Sequence, residues 1–402
     1  MMITDFFKNI KGDRTIWAII GALAIFSFLP VYSASTNLVY VAGKGTTFGY
    51  LFKHALLLVL GFGIVYATHK IPYRYFSGLS VLMLPVIILL LVYTLSQGTV
   101  IDGANASRWI RIPFVGIGFQ TSTLASVVLM IYVARYLARN KDKEIRFKES
   151  AIYLWLPVGA VLSLILPANF STTAITFAMI LILSFLGGYP IKYIATILGA
   201  GVLVLVLFIL SVRAFPDAME NSRVGTWSSR IENYISGESE DNYQAEKAKI
   251  AIASGEIYGK GPGKSVQKNF LPQSSSDFIY AIIGEEFGLI GAIMIIFLYL
   301  GLLFRLVIIA TKSSTIFGTL LVLGVGLPII FQAMINMAVA VGLFPVTGQP
   351  LPLISTGGTS IWMTCFAIGI VLSVSARDQE QQVVKEKKEL ENPLDILHEA
   401  VG

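Results

Sequence analysis

Residues 254–291 read SGEIYGKGPGKSVQKNFLPQSSSDFIYAIIGEEFGLIG. A polar loop punctuated by glycine and lysine passes a Leu-Pro pair and a serine run. It then reaches one aspartate, Asp277, and turns at once into an apolar run. An ionisable side chain at such an edge is costly to hold, which makes Asp277 a candidate for chemistry. A carboxylate at a helix N-terminus, favoured by the helix dipole, is the plainer reading, and Ser274, Ser275 and Ser276 suit it. The residues alone leave both readings open.

The same alternation of apolar run and polar loop recurs along the whole chain. Of 402 residues, 55% are hydrophobic and 13% charged, with a mean hydropathy of +0.73. A soluble domain carries about 25% charge. The composition therefore predicts an all-α polytopic membrane protein. The net charge of +6 is no nucleic-acid signature, because the basic residues lie between the apolar runs and not in one stripe. The single cysteine, Cys365, allows no intrachain disulfide, and His54, His69 and His398 are far apart in sequence. No metal site is readable. The first apolar run lacks a small-residue cleavage site and reads as a retained span.

Ten runs of about 20 residues are expected as spans: 15–35, 50–68, 79–95, 121–137, 151–166, 172–186, 191–212, 278–304, 314–341 and 361–375. They form a transmembrane domain over 15–376, between a short basic N-terminus (1–14) and a charged tail (377–402). One large hydrophilic loop, 214–276, separates the seventh and eighth spans, and helical spacing recurs within it at 241–256. Two further segments, 102–120 and 342–360, are rich in glycine and read as irregular. With ten spans both termini share a side. About 18 basic residues fall on that side and about 12 on the other, eight of them in the large loop. Long loops do not count, so the bias predicts cytoplasmic termini. The large loop, Asp277 and both irregular segments then share the external face. Irregular backbone at membrane depth is tolerated only where it is buried in protein or lines a cavity, so a site is expected there.

Several motifs lead nowhere. GPGKS at 261–265 lacks the first glycine of a phosphate-binding loop, since Tyr258 stands in its place. Glu285 and Glu286 are adjacent, about 100° apart on a helix, and form no dyad. Gln332 and Asn336 lie one helical turn apart, and their amides are expected to bond a neighbouring helix.

Three elements carry a resemblance: GKGPGKSVQKNFLP followed by SDFIYAIIGEEFGLIG, ASRWIRI at 106–112, and PVTGQPLPLISTGGTS at 345–360. In this order they resemble the SEDS family (shape, elongation, division and sporulation proteins) over essentially the whole span region. GKSVQK followed by FLP looks more like the division members than the elongation members. The resemblance implies a peptidoglycan glycosyltransferase of the bacterial cytoplasmic (inner) membrane, working outside the cell at the division septum. Its substrates would be lipid II and the undecaprenyl-diphosphate-linked glycan, joined β-1,4 with release of undecaprenyl diphosphate. The family's essential aspartate falls on Asp277. A positioned carboxylate acting as general base on a sugar hydroxyl contributes about 10²–10⁴-fold. Positive charge would meet the leaving diphosphate, and Arg108, Arg111, Lys260, Lys264 and Lys268 are candidates. Ser265, Gln267 and Pro272 share their motif with the lysines. Thr347, Gly348, Ser355, Gly357, Gly358 and Ser360 form the second candidate set, and Thr356 has the same hydroxyl chemistry. A solvated loop charge for each lysine and a mere packing turn for 342–360 stand beside these roles.

Two departures from the family pattern stand out. Where the family carries Glu and Lys after the RWI element, this chain has Thr123 and Ser126, and Asn169 takes the place of an aspartate. A rewired, uncharged interior is the expectation. The resemblance also implies a class B penicillin-binding protein as partner, together with other division proteins and membrane lipid, and no nucleic acid. A divalent cation (Mg²⁺ or Mn²⁺) would assist the diphosphate. The competing readings are a lipid II transporter, a polymerase of the elongation type and a non-catalytic scaffold. A transporter needs charged groups along a path through the bilayer, and these spans hold almost none.

Overall fold

Within hydrocarbon a chain must satisfy its own backbone donors and acceptors, and each apolar run of this sequence does so as a helix. The computed structural model describes residues 11–42, 46–96, 100–101, 104–105, 109–111, 118–214, 240–271 and 273–390. Seven apolar helices come first: α1 (Arg14–Ala42), α2 (Thr47–Thr68), α3 (Arg74–Ser96), α4 (Thr121–Arg139), α5 (Phe147–Ile165), α6 (Phe170–Leu186) and α7 (Ile191–Ala214). Helix α8 (Glu240–Ser254) lies in the large loop, matching the helical spacing there. Three apolar helices follow, α9 (Ile279–Lys312), α10 (Ile316–Ala340) and α11 (Thr359–Leu390). Eight of the apolar helices are long enough to cross a membrane, and α6 and α7 supply two shorter apolar stretches. The chain is thus a multi-pass membrane protein with the ten runs expected. The 102–120 segment, in its described part, is no span. With residues 100–101 just before it, the segment forms two small antiparallel strand pairs, β1 (Val100–Ile101) with β2 (Ala104–Asn105) and β3 (Trp109–Arg111) with β4 (Gly118–Gln120).

Two apolar cores hold the helices together. One joins α1, α2, α9, α10 and α11, and the other joins α3, α4, α5 and α6. Helix α10 packs against α4, α6, α9 and α11 and so belongs to both. At one end of the bundle Asp13 caps α1, its Oδ1 accepting from the amides of Thr15 and Ile16 at 2.9 and 3.0 Å. Its Oδ2 pairs with Arg305 of α9.

The expected span at 278–304 is not one continuous helix. Gly288, at φ +65° and ψ −162°, breaks α9 into 279–287 and 289–312. The break leaves carbonyls on one side and amides on the other without helical partners. Loop 256–261 supplies them. The amides of Lys260 and Gly261 donate to the Glu285 and Glu286 carbonyls at 3.0 and 2.9 Å. The amides of Leu289 and Ile290 donate to the Glu256 and Ile257 carbonyls at 2.8 and 3.3 Å. Backbone runs against backbone here, which explains the glycines. A Cβ at Gly259 would sit 2.2 Å from the Glu286 oxygen, and one at Gly288 2.4 Å from the Ile257 oxygen.

Gly288→Ala therefore meets both a forbidden φ and a backbone oxygen, and is expected to cost about 2–3 kcal/mol. Gly63→Ala, in open space on α2, is the control and is expected to leave the melting temperature unchanged or raise it. Thermal unfolding of both variants in detergent checks the difference.

Candidate functional site

Asp277 sits in a compact turn. The amides of Ser276, Asp277 and Phe278 all donate to the Gln273 carbonyl, at 3.1, 3.1 and 3.3 Å. The N-cap position of α9 falls on Phe278, one residue beyond Asp277. The turn buries Asp277, which keeps 8% of its surface exposed. From α10, the Asn336 amide donates to the Asp277 carbonyl at 2.8 Å and to the Gln349 carbonyl at 2.7 Å. One side chain thus fixes the aspartate turn and the glycine-rich segment together. The carboxylate faces Gly348, where a Cβ would lie 3.6 Å from Asp277 Oδ2. Gly348 is at φ +66°, a conformation side chains rarely adopt.

The segment before α11 is stitched to the serine run. Ser355 donates through Oγ to the Ser276 carbonyl and accepts from the Leu351 amide at 2.8 Å. Thr356 donates to the Ser275 carbonyl twice, through its amide and its Oγ1, both at 2.9 Å. Tyr299 of α9 donates to the Pro352 carbonyl, and Gln332 of α10 to that of Pro350 at 2.8 Å. Leu353 holds a positive φ of 63°, local strain that these bonds enforce. Gly358 is also left-handed, at φ +54°, and a Cβ on Gly357 would press on Ser360 at 3.2 Å. Thr359 accepts from the Gln120 amide at 3.1 Å and donates to the Gly118 carbonyl at 3.2 Å, bringing β4 to the same place. The expected convergence of the three irregular segments is therefore present in their described parts. The expected helix-to-helix bonds of Gln332 and Asn336 are not, because both amides reach loop carbonyls instead. Those carbonyls lie inside the bundle and have no helical donor, so a side-chain amide is what can satisfy them.

Beneath this junction lies a cavity of about 80 Å³ between α4, α6, α10 and α11. Thr123 and Ser126 line it with Thr176, Gln332, Gln349 and Ser360. Ser126 bonds Thr176 at 2.8 Å, and Gln349 donates to Thr172 at 3.0 Å. Asn169 caps α6 by accepting from the Thr172 amide at 3.1 Å. The interior network is present, and neutral hydroxyls and amides make it.

Lys264, Ser265, Gln267 and Lys268 occupy a separate loop, organised by the glutamate pair. Glu285, fully buried, accepts from Lys260 Nζ at 2.7 Å, from Ser265 Oγ, and from the Val266 and Gln267 amides at 3.1 Å each. Glu286, also fully buried, accepts from Ser33 of α1 and from the Ser265 amide at 3.2 Å. A buried carboxylate needs such partners to stay charged. The two glutamates are no dyad, as expected, yet both reach Ser265. Lys268 donates to Ser33 Oγ at 3.1 Å and to the Gly263 carbonyl at 2.9 Å, while Lys264 is exposed. Glu285 lies eight residues beyond Asp277, about 12 Å along a helical path. The lysine loop is thus a neighbour of the Asp277 turn and not part of it. Thr347 is half-buried beside Gly348. Arg108 and Pro272 lie outside the described residues, as does the side chain of Arg111. Among the described residues no three His, Cys, Asp or Glu side chains are grouped to hold a metal ion.

Comparison with known proteins gives a consistent picture. Residues 13–380 match the model of the FtsW, RodA and SpoVE family, described as cell cycle protein. A protein of Enterococcus hirae, named probable peptidoglycan glycosyltransferase FtsW, is 33% identical over 96% of this chain and 98% of its own. One of Escherichia coli O157:H7 with the same name is 32% identical over 91% of this chain and 86% of its own. Among solved structures, a chain from a peptidoglycan synthase complex that coordinates polymerisation and crosslinking superposes with a TM-score of 0.70. It is 23% identical, with 91% of this chain and 98% of that one covered. The crystal structure of Thermus thermophilus rod shape determining protein RodA gives a TM-score of 0.64 at 23% identity, covering 91% and 97%.

Asn336 satisfies two buried carbonyls, so Asn336→Leu leaves both without that donor. The expected cost is about 1–3 kcal/mol, read as a lower melting temperature. Gln332→Leu, which removes one bond from a half-buried amide, is expected to cost less.

Proposed function

The chain belongs to the FtsW, RodA and SpoVE family of cell cycle proteins, and from that premise we propose that it is a peptidoglycan glycosyltransferase polymerising lipid II during septal wall synthesis. The observation that carries the reading is Asp277: a buried carboxylate held in a turn by Asn336, facing Gly348, where three irregular segments meet. Full-length relatives above 30% identity that bear the glycosyltransferase name support it.

In this reading Asp277 is the general base. It takes the proton from the 4-hydroxyl of the incoming lipid II sugar. That oxygen forms its bond to C1 of the growing glycan, and the C1–O bond to undecaprenyl diphosphate breaks. Burial suits the task, because few waters compete for the carboxylate. The diphosphate leaves with its negative charge, which Lys264, Lys268 and Arg108 would meet. The bonds of Lys268 to Ser33 and Gly263 fix the position of its ammonium before substrate arrives. Gly348, Gly357 and Gly358 let backbone approach the sugar closely, with Thr347 and Ser360 as hydroxyl donors and Ser265 and Gln267 shaping the lysine loop. Ser355 contributes by holding the Asp277 turn. Among the described residues no side-chain cluster would hold a divalent cation, so one would arrive with the substrate and supply positive charge to the leaving diphosphate. The termini face the cytoplasm and the site faces outward. The partner is a class B penicillin-binding protein, and the 377–402 tail meets other division proteins. Neutral side chains at Thr123, Ser126 and Asn169 favour this reading over a transporter, which needs charge along its path.

The test is glycan synthesis from labelled lipid II by purified protein with its cognate transpeptidase, comparing wild type with Asp277→Asn at equal abundance and melting temperature. The variant is expected to lose about 10²-fold or more in rate. Equal polymer from both would remove Asp277 as the base. Polymer from neither would return the transporter reading, to be measured by lipid II translocation.

A further inference from the structure

Leu289, Ile290, Ile293, Met294 and Phe297 of α9 are exposed, at spacings that keep them on one face. On a spanning helix such a face meets lipid. The strip does not stop where the helix does. Because Leu289 and Ile290 donate to the Glu256 and Ile257 carbonyls, the turn 256–259 lies directly beside them. There Ile257 is 55% and Tyr258 81% exposed, two large apolar side chains at the top of an apolar face.

Depth along the helix agrees. Arg305, paired with Asp13 at the start of α1, marks one membrane boundary. Leu289 is sixteen residues away, about 24 Å at the helical rise. The hydrocarbon layer is about 30 Å thick, so Leu289 still lies within it and the 256–259 turn reaches its far boundary. Tyrosine is enriched at that level because its ring is apolar and its hydroxyl meets water. The turn is also rigid. Gly255 and Gly259 pack against the backbone of 284–286, and Glu256 is held at φ +49°.

We propose that the 256–259 turn is a lipid anchor, with Ile257 and Tyr258 seated in the bilayer interface against phospholipid. Continuity with the lipid-facing side of α9 identifies the occupant as lipid. The anchor fixes the lysine loop that follows, residues 260–268, at headgroup height, where a lipid-linked diphosphate emerges. The inference rests on α9 spanning the membrane, and its failure would leave the proposed chemistry untouched.

The native Cys365 is buried, so a single new cysteine can carry a nitroxide label selectively. Tyr258→Cys and Ile257→Cys are labelled in the full chain and placed in phospholipid nanodiscs. Relaxation by oxygen, which partitions into lipid, is compared with relaxation by a water-soluble nickel chelate. Phe297→Cys gives the lipid value and Glu246→Cys, at an exposed position of α8 in the large loop, the aqueous value. The expected result is an oxygen-to-nickel ratio at 258 shifted up towards that at 297. A ratio at the level of 246 would overturn the proposal. A label shielded from both reagents would overturn it too, since a second protein copy would then cover the turn. Should Tyr258→Cys fail to fold, Ile257→Cys reads the same turn.

Discussion

A helix broken inside a membrane must find partners for the backbone groups it frees, and in this chain that constraint sits at Gly288. Unsatisfied amides and carbonyls at that depth would each cost several kcal/mol. Loop 256–261 supplies four bonds across the break. The consequence reaches further than local stability. Segment 279–287 becomes a short buried helix separate from the long one, and the turn that leads directly into it carries Asp277. The break and the loop that splices it therefore set where the aspartate sits.

Polar side chains then complete what the backbone starts. Asn336 ties the Asp277 turn to Gln349, while Ser355 and Thr356 tie the serine run to the segment before α11. Glu285 and Glu286 do the same for the lysine loop, accepting hydrogen bonds from amides, hydroxyls and, at Glu285, one ammonium. The interior below is held by neutral hydroxyls and amides. A neutral network avoids the desolvation cost of buried ion pairs and keeps the connection between helices.

Much of this was legible in the residues. Apolar runs bounded by charge anticipated the ten apolar helices, eight of them long enough to cross a membrane, and α8 followed from its spacing. Asp277 stood out because it is the one aspartate of residues 254–291 and stands at the edge between loop and span. The glycines of 254–263 and 348–358 signalled close backbone approach without naming the partner. The break at Gly288 was hidden because glycine is common in membrane helices and the hydropathy runs straight through it. Glu285 and Glu286 looked inert because their partners come from a loop some 20 residues earlier that folds back on them and, for Glu286, from Ser33 of α1. Asn336 looked like interhelical glue because its acceptors are loop carbonyls, which a sequence does not place. The short strands at 100–120 carry no periodicity long enough to detect.

The splice at Gly288 is tested most directly by hydrogen exchange of the full wild-type chain in nanodiscs, followed at the amides of Lys260, Gly261, Leu289 and Ile290. The expected result is protection comparable with the buried centres of α9 and α10, because each amide is hydrogen-bonded within a packed junction. Exchange of these four amides at the rate of exposed loops would contradict it, and with it the view that the broken helix positions Asp277.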